Sequence, residues 1–92
     1  MEQQDGVLSE LRKKIEAIDD RILELVAERV KVAIEVGRVK RAMGREVYDP
    51  ERERAILRRL VELAPEPLTA ETVRRVFERL IDESRAAEQR AD

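Results

Sequence analysis

From about Val7 to Met43 the chain places apolar residues at helical spacing without a break. At 100° per residue, Leu11, Ile15, Ile18, Ile22 and Leu25 fall within about 40° of one line, which predicts a single long amphipathic helix. The same line runs on to Arg29, Val36 and Lys40. Two cations therefore stand inside the helix's own apolar stripe, where charges are normally excluded unless they are paired. A second apolar stripe, Leu23, Val26, Ala27, Val30, Ile34 and Gly37, runs beside the first. Arg41 suits the C-terminal dipole and Gly44 a left-handed cap. Asp49 as N-cap, followed by Pro50 and Glu51, opens a second helix that ends before Pro65, with Ile56, Leu60 and Leu63 on its inner face. After a Pro-Glu-Pro turn, Thr69 caps a third helix whose inward line is Val73, Val76, Phe77, Leu80, Ser84 and Ala87.

Composition narrows the picture. The 92 residues are 42% hydrophobic and 43% charged, only 2% are aromatic, and there are three Gly and three Pro, so turns are few and strand-forming residues scarce. An all-α fold follows, as a single domain over 1–92 with one long and two shorter helices. A helix of about 37 residues would run about 55 Å, whereas a compact domain of this size has a radius of gyration near 12 Å. Such a helix must project, and its two stripes are wider than one short helix covers. An intertwined helical homodimer, with the long helices packed together, resolves both problems.

Charge and missing residue types exclude whole classes of function. The 19 basic and 21 acidic residues are interspersed, giving a net charge of −2 and no basic face for nucleic acid. No apolar run is long enough to span a membrane and MEQQDG is no leader, so a soluble cytoplasmic protein is expected. With neither Cys nor His there is no thiolate, no imidazole and no usual zinc ligand, and neither metal nor organic cofactor is expected. The remaining chemistry belongs to Arg, Lys, Glu, Asp, Ser and Tyr. Arg52 and Glu53 flank the inner face of the second helix near its start, close in sequence to Lys40. Ser84 interrupts the apolar line of the third helix, and Glu88 lies about 40° to its side. Singly, each has an ordinary reading, as a solvated first turn, a small core residue or a frayed surface acid. Their shared inward register with Arg29 and Lys40 predicts one cationic pocket within a helical bundle.

The segments LRKKIEAIDDRILELVAERVKVAIEVGRVK, DPERE and LIDES resemble the all-α class of chorismate mutases from Leu11 to about Gln89, with the polar residues at the family's spacing and no gap. The resemblance implies an intertwined three-helix homodimer with two shared active sites, and an isomerase that rearranges chorismate to prephenate on the route to Phe and Tyr. It implies that Arg12, from the second chain, and Arg29 clamp the substrate carboxylates. Lys40 would donate to the ether oxygen, and Glu53 with the backbone of Asp49 would hold the ring hydroxyl. Arg52 and Ser84 would line the pocket and help fix a carboxylate. Many bacterial members have Gln where this chain has Glu88, and some fungal relatives have Glu. An ionised carboxylate cannot donate, so Glu88 should act only when neutral; burial and the substrate's two negative charges are expected to raise its pKa and Lys40 and Arg29 to pull it down, with the cations ahead in the free enzyme until the bound dianion cancels them. The rearrangement is intramolecular and pericyclic and needs no nucleophile, which agrees with the missing Cys and His. Two other readings remain open from sequence: an isochorismate-pyruvate lyase, and a non-catalytic helical dimer or regulatory partner of another enzyme.

Overall fold

A computed structural model describes residues 2–91. It contains α1 (Glu2–Ala42), α2 (Pro50–Leu63) and α3 (Ala70–Arg90), with no strand among the described residues. The first helix begins five residues earlier than its apolar periodicity predicts. Glu2 and Asp5 lie in its first turn, where acids complement the helix dipole, so the polar segment before Val7 extends the helix without contributing to the stripe. At 41 residues α1 accounts for nearly the whole 63 Å length of the molecule.

Local chemistry sets the other ends as expected. The α1 terminus closes in a Schellman motif: the Arg45 amide donates to the Lys40 carbonyl at 2.8 Å and the Gly44 amide to the Arg41 carbonyl at 3.0 Å, with Gly44 at φ +72°. Asp49 Oδ1 accepts from the Arg52 amide at 3.1 Å, and Thr69 Oγ1 accepts from the Thr72 amide at 3.1 Å. Both N-caps are those read from the sequence.

Packing is centred on α3, which lies against the C-terminal part of α1 on one side and α2 on the other; α1 and α2 do not approach each other directly. Gly37, Val73, Ile81, Ser84 and Ala87 are the buried residues among those described. Two expected inner positions are exposed within the single chain, Val76 in α3 at 51% and Leu63 at the end of α2 at 61%, while Ile81, absent from the expected inner line of α3, is buried. The inner face of α3 is rotated toward Ile81 and Ser84 because α1 and α2 approach it from different sides.

Along the first half of α1, Leu11, Ile15, Ile18, Ile22 and Leu25 are all 49–60% exposed. The chain's accessible surface is 7814 Å². A compact monomer of this mass would expose about 5,500 Å². No helix among the described residues is long and apolar enough to cross a membrane.

Candidate active site

One cleft of about 270 Å³ opens where the C-terminal half of α1, the loop before α2, the first turns of α2 and the middle of α3 meet. The volume is near the lower end of small-molecule pockets, about 300 Å³. Arg29 and Lys40 line it from α1, Asp49, Arg52 and Glu53 from the start of α2, and Ser84 and Glu88 from α3. Seven of the eight polar residues singled out in the sequence thus share one wall-to-wall space. Arg12 does not reach it. It is exposed on the projecting half of α1, seventeen residues from Arg29, which is about 25 Å along the helix.

Both inward cations are half-buried, and among the described residues neither forms an ion pair with a carboxylate of its own chain. Arg29 Nη1 donates to Ser84 Oγ at 2.5 Å, and that hydroxyl donates onward to the Leu80 carbonyl at 2.7 Å. The serine therefore spends its proton on its own helix and presents a lone pair to the guanidinium, leaving the other guanidinium N–H groups for a ligand. Lys40 Nζ donates to the Val47 carbonyl at 3.0 Å. The Schellman cap fixes the backbone of Lys40 and the Val47 contact fixes its ammonium, with further N–H bonds in hand.

Glu88 stands where α3 comes closest to α1. A Cβ placed on Gly37 would meet the Glu88 Cβ at 3.2 Å, so any larger residue would press α3 away by a few tenths of an ångström. Arg41 holds the same turn from outside, donating through Nη1 to the Glu88 carbonyl at 2.9 Å and through Nη2 to the Ala91 carbonyl at 2.6 Å. Burial pushes the Glu88 carboxyl above its ordinary pKa, and nearby Glu53 pushes the same way. Lys40, Arg29 and Arg85 pull down but do not win. This reverses the expectation that the cations dominate in the free chain: the cost of desolvating the carboxylate outweighs their attraction.

One charged cleft residue was not read from the sequence. Arg85, one residue past LIDES, donates through Nε to Glu53 Oε2 at 2.9 Å and through Nη2 to Glu53 Oε1 at 3.3 Å. Its Nη2 also meets Asp82 Oδ1 at 2.8 Å, and its guanidinium lies 4.9 Å from the centre of the Tyr48 ring. The signal was present: Arg85 follows Ile81 by four residues and shares its face, so placing Ile81 inward brings Arg85 to the cleft.

The arrangement suits a small polar anion: fixed cations and carboxylates able to accept or donate line one cleft. Comparison with known proteins agrees. A family model for chorismate mutase type II matches residues 11–89. The chain is 40% identical over 80 residues to the chorismate mutase of Methanocaldococcus jannaschii, covering 86% of this chain and 81% of that protein. It is 41% identical over 81 residues to the bifunctional chorismate mutase/prephenate dehydratase of Escherichia coli, covering 87% of this chain but only 21% of that longer enzyme. In structure it resembles chorismate mutase (Form II) from Thermus thermophilus, with a TM-score of 0.89, 34% identity, and coverage of 92% of this chain and 97% of that one. It also resembles the Helicobacter pylori chorismate mutase solved in complex with prephenate, with a TM-score of 0.84, 26% identity, and coverage of 91% of each chain. With its three helices, its cleft and these relatives in agreement, the chain belongs to the chorismate mutase type II family.

Proposed function

We infer that this chain is an isomerase that converts chorismate to prephenate, working as a homodimer with two shared active sites. The observation that carries the reading is the pair of half-buried cations, Arg29 and Lys40, facing one small cleft and forming no ion pair with a carboxylate among the described residues. A dianionic substrate supplies the missing charge.

The uncatalysed reaction already has both reacting ends in one molecule, so the enzyme's work is to select the compact chair conformer and to stabilise charge on the breaking C–O bond. Arg29, steadied by the Ser84 hydroxyl, binds one substrate carboxylate through its planar fork, and Arg52 helps fix it. Lys40, held by the Val47 carbonyl, donates to the ether oxygen as electron density gathers there. Glu88 donates to the same oxygen in its neutral form. Glu53 and the backbone of Asp49 hold the ring hydroxyl. The second carboxylate is clamped by Arg12, which lies too far along α1 to serve its own chain's cleft and therefore serves a partner's. The apolar residues exposed along the first half of α1, and about 2,300 Å² of surface per chain beyond that of a compact monomer, support the dimer, since two chains together would reach the several thousand Å² that obligate homodimers bury.

Product analysis tests the activity. Incubated separately with chorismate and isochorismate, the protein should yield prephenate from the first and no pyruvate from the second. Pyruvate release from isochorismate without prephenate formation from chorismate would assign it as a lyase instead.

A further inference from the structure

We propose that Arg85 is a positioning residue for this site, holding the Glu53 carboxylate in place and offsetting its charge so that Glu53 can accept the substrate's ring hydroxyl beside a bound dianion. The proposal rests on the reading of the cleft as a chorismate site. Its observations are independent of that reading: three groups from three parts of the chain converge on one guanidinium, Tyr48 from the loop, Glu53 from α2 and Asp82 from α3.

Glu53 poses a problem that Arg85 solves. A carboxylate in a cleft that receives two further carboxylates repels the ligand, and a flexible glutamate can swing away. Arg85 grips both Glu53 oxygens, so the side chain cannot rotate without breaking two hydrogen bonds. A carboxylate has about four lone-pair sites, and these bonds use two, leaving acceptors free toward the cleft. Arg85 is itself anchored, by Asp82 one helical turn earlier and by the face of Tyr48. Both side chains are only partly exposed, at 27% for Arg85 and 22% for Glu53, so the pair is shielded more than an ordinary surface ion pair.

The test is a double-mutant cycle on the full-length protein using Arg85→Met, Glu53→Gln and the double variant, with Arg85→Lys alongside. Chorismate kcat and KM, prephenate Kd by calorimetry and Tm are measured for each. Arg85→Met should lower kcat/KM about tenfold, chiefly through KM and with a parallel weakening of prephenate, because it removes a group that prepares binding without touching the reacting atoms. Arg85→Lys, which keeps the charge but not the fork, should recover part of that loss. In the Glu53→Gln background, where there is no carboxylate to hold or neutralise, adding Arg85→Met should cost less than about threefold. Equal losses in both backgrounds would overturn the proposal, since Arg85 would then act on substrate directly or only on folding. A Tm loss with unchanged KM and Kd would overturn it as well. A wild-type protein that neither turns over chorismate nor binds prephenate would overturn the functional reading itself, and this proposal with it.

Discussion

A carboxyl group beside an ether oxygen assists bond breaking only while it holds a proton to donate. Glu88 is prepared for that by burial, which raises its pKa against the pull of Lys40 and Arg29 from α1 and Arg85 from α3, with Glu53 on α2 adding to the rise. A raised pKa carries the neutral, donating form to higher pH, and the substrate's two negative charges extend it further. The sign is therefore fixed: kcat should be highest on the acidic side and fall as pH rises through the Glu88 pKa of the complex. Glu88→Gln, a permanent donor of similar shape, should flatten the profile and keep activity at neutral and alkaline pH. A wild-type kcat already flat over that range would exclude the role. Lys40 has the complementary task of meeting charge that grows toward the transition state. Lys40→Ala should lower kcat at least about a hundredfold, in line with about 3 kcal/mol for one lost oxyanion donor, in a protein that is still folded by circular dichroism. A normal kcat with only weaker binding would reassign Lys40 to substrate capture.

Each helix contributes to the site through a local feature that aims a side chain. The Schellman cap at Gly44 turns the chain so that Val47 meets Lys40, and Gly44→Ala, forced into the same left-handed conformation, should cost about 1 kcal/mol of stability by denaturant unfolding. Gly37 sets how closely α3 approaches α1. An alanine in an open helix position would gain about 1 kcal/mol in helix propensity. Here its Cβ would press the Glu88 Cβ at 3.2 Å, on a turn that Arg41 holds in place, so the clash should win. Gly37→Ala is expected to lower both Tm and kcat/KM, and a gain in Tm without loss of activity would show that the two helices can part freely. The caps at Asp49, Thr69 and Gly44 were legible in the sequence because capping depends on residues within a few positions. The exposure of Val76 and Leu63, the burial of Ile81 and the Arg85–Glu53 pair were not, because they depend on how helices distant in sequence cross. The early start of α1 was missed for another reason: periodicity reports only the part of a helix that carries an apolar stripe, and Glu2 to Gly6 carry none.

At the scale of the whole molecule, the chain looks unfinished by itself. Its helical composition and the cleft between its helices were readable from spacing alone, because Arg29, Lys40, Arg52, Glu53, Ser84 and Glu88 share an inward register. Arg12 was readable as a site residue only through the family resemblance, since nothing in one chain brings it near Arg29. The apolar first half of α1 and the distant Arg12 are explained together if two α1 helices pack against each other and each delivers its Arg12 to the partner's cleft. Mixing experiments test this directly. Arg12→Ala and Arg29→Ala should each be inactive alone. When the two are unfolded together and refolded at equal amounts, random pairing makes half of the dimers mixed, each with one intact site and one doubly damaged one, so about one quarter of wild-type activity should return. Activity that stays at the level of the separate variants, in a sample where mixed dimers are demonstrated by mass spectrometry, would contradict the shared site.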